Sequence, residues 1–231
     1  MIGIIAALDE EVLALKDKLS YIEEYKISGQ SFILGKIDDY DIVLAKSGVG
    51  KVCAAICVTL MNDYFDLEYI INIGSCGALK EEIDVRSVVV ANKVAFYDVN
   101  VPDWEMSFDS PNISFPTDEK MFKHALKISE NKAFLGPMVS GDSFIYLKEE
   151  VDRIKSFFPE ALAVEMEAGS IAKSCNILNI PSLIIRGVSD NTTRDDSHLD
   201  FEVYLKEAAL NSANFTVDFI KTFNNCGDEH D

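Results

Sequence analysis

Residues 163–172 read Ala-Val-Glu-Met-Glu-Ala-Gly-Ser-Ile-Ala, and this stretch shows how the chain is organised. Its apolar start is typical of a buried strand, and residues 166–178 repeat with a helical period. Glu165 and Glu167 fall at the junction of the two patterns, where a packing layer does not favour charge. We therefore predict a strand-to-helix junction that carries part of a functional site.

The same strand-then-helix pattern recurs along the chain. Residues 2–8 are a continuous apolar run, which is typical of a strand buried on both faces, and we expect Asp9 to cap the helix that follows. Residues 69–73 predict another buried strand, which we expect to end at the small-residue segment 74–78. A third predicted strand, 181–188, ends just before Ser189 and Asp190. Further predicted strands cover 25–28, 31–37, 41–45, 88–96 and 133–139, and further predicted helices cover 51–64, 118–130, 148–158 and the segment from Phe201 to Phe223.

Alternating strands and helices indicate an α/β fold. The hairpin-like strands near the N-terminus favour a mixed central β-sheet flanked by helices. We expect one domain over residues 1–231, with a frayed polar tail at 224–231.

Composition narrows the class of partner. A formal net charge of −18 disfavours nucleic acid and anionic membrane surfaces, both of which attract Lys and Arg. Residues 1–8 lack the basic start of a signal peptide and are too short to span a membrane. The odd number of cysteines and the absence of a CxxC spacing favour free thiols. We expect a cytoplasmic protein whose free cysteines are Cys53, Cys57, Cys76, Cys175 and Cys226.

A phosphate-binding loop is not predicted at residues 47–52, Ser-Gly-Val-Gly-Lys-Val. The phosphate-loop spacing requires glycine where Ala45 stands and Ser or Thr where Val52 stands. The two glycines instead indicate a tight turn between a strand and a helix.

Carboxylates dominate the polar residues near the predicted strand ends, namely Glu11, Glu165, Glu167 and Asp190. The three histidines stand on a helix, in a loop and in the tail, so neither a Ser-His-acid triad nor a His-based metal site is predicted. Carboxylates without metal or histidine suit glycosyl chemistry, in which a protonated acid assists the leaving group and an ionised one activates water. For a purine riboside, Asp190, Glu167 and Phe144 fit the roles of acid, ribose ligand and stacking platform.

Six motifs together resemble the bacterial 5′-methylthioadenosine/S-adenosylhomocysteine nucleosidases in order and spacing. They are residues 4–12, 47–52, 72–77, 139–145, 163–168 and 186–190. The resemblance implies a nucleoside phosphorylase-like fold and a homodimer that needs neither metal nor organic cofactor. It also implies release of adenine from methylthioadenosine, S-adenosylhomocysteine and 5′-deoxyadenosine, in methionine salvage and the removal of methyl-cycle by-products.

The resemblance assigns the chemistry to two acids. Glu11 would be the base that activates water at C1′, and Asp190 would be the acid that protonates adenine N7. Ser189 would orient Asp190, while Ser75 and Gly77 would line the pocket near the water.

The resemblance also implies how the substrate is held. Glu167 would bind the ribose hydroxyls with Met166 beneath the sugar, Phe144 would stack on adenine, and the Ile145 backbone would contact the edge of the base. Residues two apart point the same way on a strand but almost oppositely on a helix, so the residues themselves leave open which of Glu165 and Glu167 binds ribose. The resemblance favours Glu167 and leaves Glu165 to support Arg186 or a backbone group. The expected pocket is completed by Val49, Val164, Phe201 and loop residues 98–111 of a partner chain.

Three alternatives stay open at this point. A purine nucleoside phosphorylase of the same fold would need cationic phosphate ligands, and the chain has only four arginines, none of them in the turn at 47–50 or just before Gly74. A nucleosidase for another 5′-modified nucleoside, such as aminodeoxyfutalosine, is a second alternative. A nucleoside-binding or storage protein is a third, and the presence of all three working acids argues against it.

Overall fold

The computed structural model describes residues 1–130, 133–194 and 197–224. Within these ranges the chain forms ten strands and six helices around one mixed sheet. The strands are β1 (Ile2–Ala6), β2 (Ser20–Ile27), β3 (Gln30–Ile37), β4 (Tyr40–Lys46), β5 (Tyr69–Ala78), β6 (Val88–Phe96), β7 (Ser114–Pro116), β8 (Ala133–Ser140), β9 (Ala163–Glu165) and β10 (Ser182–Asn191). The helices are α1 (Asp9–Lys16), α2 (Lys51–Tyr64), α3 (Glu119–Ser129), α4 (Lys148–Phe157), α5 (Ala168–Leu178) and α6 (Ser197–Phe223).

The sheet is partly closed on itself. Its order is β10-β6-β8-β9-β5-β1-β4-β3-β2, and β10 also pairs with β5, so β5, β10, β6, β8 and β9 form a ring. Gly77 on β5 is consequently in register with Val164 on one side and with Asp190 on the other. The predicted mixed sheet is confirmed, and the ring brings two distant strand ends together.

Parallel pairing sets the position of the site. β1 runs parallel to both β4 and β5, and β5 runs parallel to β10. The carboxyl ends of these four strands therefore lie at one edge of the sheet, where ligands bind in open α/β sheets.

Helices cover both faces of the sheet, because the strands in the middle of the sheet carry apolar side chains on both faces. On one face α1, α3 and α6 pack through a cluster that includes Leu15, Met121 and Phe219. On the other face α2 and α5 pack through a cluster that includes Met61 and Ile171. No helix among the described residues has the length and apolar character needed to cross a membrane.

Several local predictions were wrong in their boundaries. The strand predicted at 25–28 belongs to β2, which already begins at Ser20 and ends at Ile27. Asp9 does not cap α1; the N-cap is Leu8, whose backbone N–H donates to Glu11, so that a carboxylate in the first turn does the work expected of a cap. Segment 74–78 does not end β5 but continues it, because it pairs with both β9 and β10. For the same reason β10 extends to Asn191, which places Ser189 and Asp190 within the strand. The predicted frayed tail lies, except for Asn224, outside the described residues.

Candidate active site

A cavity of about 390 Å³ opens at the carboxyl-end edge of β1, β5 and β10. Its lining residues come from seven separate segments of the chain, which the strand order brings together. They are Ala7, Leu8, Glu10, Glu11, Val49, Ser75, Cys76, Gly77, Phe144, Val164, Glu165, Met166, Glu167, Arg186, Ser189, Asp190, Phe201 and Leu205. Every predicted site residue of this chain except Ile145 is in this set.

Glu11 is held rigidly at the floor of the cavity. Its Oε2 accepts hydrogen bonds from the backbone N–H groups of Ala7 at 2.9 Å and Leu8 at 3.1 Å. Its Oε1 accepts from the backbone N–H of Ser75 at 2.9 Å and from the Ser75 hydroxyl at 3.0 Å. The side chain is buried. The carboxylate therefore links the segment that follows β1 to strand β5.

Asp190 lies opposite the backbone of β5. Its Oδ1 accepts a hydrogen bond from the Ser189 hydroxyl at 2.8 Å, and the carboxyl group is buried. Gly77 lies beside it so closely that a Cβ on Gly77 would lie 2.9 Å from Asp190 Oδ2. Glycine at position 77 thus leaves room for the acid in the cavity wall.

Glu165 and Glu167 share one cation, Arg186, which is buried. Arg186 Nη2 lies 2.5 Å from Glu165 Oε2 and 3.3 Å from Glu167 Oε2, and it also donates to Asn72 Oδ1 at 2.7 Å. Glu165 Oε2 accepts in addition from the backbone N–H groups of Glu167 and Ala168, both at 2.8 Å. Glu165 Oε2 is therefore occupied by Arg186 and by the start of α5, whereas the buried Oε1 has no hydrogen-bond partner in the described part of the chain.

Glu167 is the N-cap residue of α5 and accepts two hydrogen bonds, against three for Glu165. Its Oε1 accepts from the backbone N–H of Gly50 at 2.8 Å, and Gly50 adopts a φ of 92°, a conformation that favours glycine. Burial raises the pKa of Glu167 from its ordinary value of 4.5 to about 7; Arg186 opposes this shift, and Glu165 adds to it.

Aromatic and aliphatic side chains form the remaining walls. Phe144 and Phe201 pack edge to face, with ring centroids 5.2 Å apart. A small adjoining space of about 30 Å³ is lined by Ile145 together with Phe144 and Asp190. Ile145 thus lies at the Asp190 end of the cavity. Val49 lines the cavity and is 49% exposed, which places it at the opening.

The structure also adds residues that the sequence patterns did not indicate. Glu10 is a further charged group of the lining, and Leu8, Cys76 and Leu205 add apolar contacts. Arg186 was expected only as a partner for Glu165; it does pair with Glu165, and it lines the cavity as well. Loop residues 98–111, all of which are described, do not line the cavity of their own chain. In the described part of the chain, no three or more His, Cys, Asp or Glu side chains are grouped to hold a metal ion.

The first comparison concerns the protein superfamily to which the fold and the cavity belong. The family model described as the phosphorylase superfamily matches residues 1–221. A 5′-methylthioadenosine/S-adenosylhomocysteine nucleosidase of Staphylococcus haemolyticus is 38% identical over 227 residues, which cover 96% of this chain and 99% of the relative.

Two solved structures agree with this assignment. The nucleosidase of the same name from S. pneumoniae, solved with a transition-state inhibitor, is 36% identical with a TM-score of 0.89 and coverage of 96% of this chain and 99% of that one. The one from Colwellia psychrerythraea, in complex with adenine, is 33% identical with a TM-score of 0.90 and coverage of 95% and 94%. The chain therefore belongs to the family of bacterial 5′-methylthioadenosine/S-adenosylhomocysteine nucleosidases within the phosphorylase superfamily.

Proposed function

We propose that this chain hydrolyses the N-glycosidic bond of 5′-methylthioadenosine and S-adenosylhomocysteine, and also of 5′-deoxyadenosine. The products are adenine and the 5′-substituted ribose. The observation that carries the proposal is that Glu11, Glu167 and Asp190 line one cavity with an aromatic wall. The family to which the chain belongs supports the choice of substrates.

The proposed reaction divides into two proton transfers. Asp190, in its protonated form, gives its proton to N7 of adenine, and the electron pair of the C1′–N9 bond leaves with the base. Glu11 takes a proton from a water molecule whose oxygen forms the new bond to C1′. The Ser189 hydroxyl, 2.8 Å from Asp190 Oδ1, fixes the orientation of the acid.

Substrate positioning falls to the other residues of the cavity. Glu167 accepts hydrogen bonds from the ribose hydroxyls; it makes two hydrogen bonds to the protein, against three for Glu165. Met166 packs beneath the sugar, Phe144 stacks on adenine, and the Ile145 backbone contacts the edge of the base. Val164 adds to the wall of the base site, whereas Val49 and Phe201 surround the 5′-substituent.

Hydrolysis fits the cavity better than phosphorolysis. Arg186 is the one cationic side chain in the described lining, and the carboxylates of Glu165 and Glu167 already compensate its charge. A phosphate ion beside the ribose would need free cationic donors. Water is the co-substrate that these residues suit.

A homodimer is the proposed working state, with loop residues 98–111 of the partner completing each site. The outward side of α2 supports this: Val52 is 71% exposed and Ile56 is 52% exposed, and both follow Val49 at the cavity opening. On the loop, Val101 and Trp104 are also exposed. We further expect a cytoplasmic location, which the free cysteines among the described residues support.

One assay tests the activity. Adenine or hypoxanthine release is measured from methylthioadenosine, S-adenosylhomocysteine, 5′-deoxyadenosine, aminodeoxyfutalosine, adenosine and inosine, each with and without phosphate. We expect phosphate-independent release from the first three. A phosphate requirement would contradict hydrolysis, faster turnover of aminodeoxyfutalosine would change the substrate, and binding without release would indicate a non-catalytic protein.

The dimer is tested by light scattering after chromatography. Val52→Asp should yield monomers with lowered activity, because it places a charge in an apolar contact. Leu126→Asp is the matched control: Leu126 is 55% exposed on α3, which packs on the opposite face of the sheet. A monomeric wild-type protein with full activity would contradict this proposal.

A further inference from the structure

Three consecutive acids at the start of α1 have three different environments. Asp9 forms an ion pair with Lys46, 2.6 Å between Nζ and Oδ2, at the surface. Glu11 is buried and accepts four hydrogen bonds. Glu10 is half-buried, lines the cavity and has no hydrogen-bond or ion-pair partner among the residues that the structure describes. Of the three, Glu10 alone presents an unoccupied carboxylate to a ligand.

Glu10 lies away from the base site. The small space at the base end is lined by residues of β5, β9, β10 and the segment around Phe144, and Glu10 is not among them. Successive helical residues point about 100° apart, so Glu10 does not share the direction of Glu11 toward β5. Helix α1 packs against α6, which supplies Phe201 and Leu205 to the same cavity. Glu10 therefore belongs to the wall between α1 and α6, where the 5′-substituent is placed.

Glu10 shares the cavity with apolar side chains. Leu8, Val49, Phe201 and Leu205 line it as well. Such a wall suits the methyl group of methylthioadenosine. S-adenosylhomocysteine instead carries an amino-acid tail, whose ammonium group needs an acceptor when it leaves bulk water.

We propose that Glu10 is a specificity-determining residue, whose carboxylate binds the α-ammonium group of the amino-acid tail of S-adenosylhomocysteine. The inference rests on the proposed function and deepens it. A charge-assisted hydrogen bond stabilises the ammonium at the cavity wall, and the same negative charge directs the tail carboxylate outward to solvent. Methylthioadenosine gains nothing from this contact because it has no charged tail.

The test compares specificity constants rather than rates alone. In Glu10→Gln we expect the ratio of kcat/KM for S-adenosylhomocysteine to kcat/KM for methylthioadenosine to fall about threefold to tenfold, mainly through KM, as suits a partly exposed charge pair. Glu10→Asp should restore part of the ratio. Asp9→Asn is the matched control, since it removes the same charge one residue away and should leave the ratio unchanged.

A substrate lacking the amino group completes a double-mutant cycle. The des-amino analogue of S-adenosylhomocysteine should show no further loss with Glu10→Gln, because both changes remove the same contact. The inference would be overturned if Glu10→Gln lowered kcat/KM equally for S-adenosylhomocysteine and its des-amino analogue. It would also be overturned if the ratio of kcat/KM for S-adenosylhomocysteine to that for methylthioadenosine stayed unchanged in Glu10→Gln. An effect on the free energy of unfolding alone would also overturn it, leaving Glu10 as a first-turn acid that interacts with the helix dipole. Wild-type protein that releases no adenine from methylthioadenosine would instead refute the proposed function itself.

Discussion

Arg186 and Glu165 form an ion pair in which both side chains are buried, with Nη2 and Oε2 2.5 Å apart. The pair joins β9 to β10, two strands that flank β5 on opposite sides. It therefore fixes the geometry of the ring of strands from which the cavity is built, and Glu167 shares the same guanidinium at 3.3 Å.

Removal of this cation should be strongly destabilising. Arg186→Met leaves two buried carboxylates without their partner, and we expect the free energy of unfolding to fall by about 3–5 kcal/mol. Urea denaturation at neutral pH measures the loss. Lys123→Met, which breaks an exposed pair with Glu119, serves as the control and should cost less than about 1 kcal/mol. Equal effects of the two substitutions would show that the buried pair contributes no more than a surface pair.

Loss of the proposed acid should affect chemistry more than binding. Asp190→Asn keeps the size of the side chain but removes the proton donor, so we expect kcat for methylthioadenosine to fall by about 10²–10⁴-fold. Adenine affinity, measured by calorimetry, should change far less. Ser189→Ala removes the hydrogen bond to the acid and the longer one to the Cys76 carbonyl, and it should lower kcat by about tenfold or less. A nearly normal kcat in Asp190→Asn would exclude Asp190 as the acid.

Loss of the proposed base should likewise lower kcat. Glu11→Gln abolishes proton uptake from water, and we expect a decrease of at least about 10²-fold. Both oxygens of Glu11 accept from backbone N–H groups, so the NH2 group of a glutamine would face a donor at either position. Thermal stability must therefore be measured together with the kinetics. Ser75→Ala, which removes one of the donors, is the comparison and should have the smaller kinetic effect. Turnover near the wild-type rate in a folded Glu11→Gln protein would contradict the role of base.

Substrate binding should weaken as the medium becomes acidic. The pKa of Glu167 is raised by burial to about 7, so the carboxylate takes up a proton as the pH falls from 8 to 5. A protonated Glu167 is a poorer acceptor for ribose hydroxyls, so KM for methylthioadenosine should rise over this range. Glu167→Gln should weaken binding at pH 8 and should abolish most of the rise of KM between pH 8 and pH 5. If KM of Glu167→Gln still rises as it does in the wild type, another group is responsible for the pH dependence.

The same shift predicts a pH dependence of stability with the opposite sign. A glutamate whose pKa is raised on folding binds its proton more tightly in the folded state, so its contribution to stability is fully present below 4.5 and lost as the pH rises through about 7. The free energy of unfolding of the wild type relative to Glu167→Gln should therefore fall by about 2–3 kcal/mol between pH 4.5 and 8. Urea titrations of both proteins measure this difference, and a constant difference would show that the pKa of Glu167 is not raised.

Much of the fold followed from local patterns. The boundaries of α2 and β6 were predicted correctly because helical period and apolar runs are properties of neighbouring residues. The six ordered motifs, taken together, also predicted the family correctly. The elongation of β5 and β10 was missed, since it depends on pairing between strands more than 100 residues apart.

The sequence by itself determined the α/β class, the family and most of the residues that gather at the cavity. Only the tertiary structure decided how Glu165 and Glu167 differ. The two acids stand two residues apart where β9 gives way to α5. Glu165 accepts from the backbone N–H groups of Glu167 and Ala168 and from Arg186, whereas Glu167 accepts from the backbone N–H of Gly50. Strand closure brings these distant partners together, and sequence spacing carries no information about it. The ring of strands therefore assigns different environments to two acids that the chain places almost side by side.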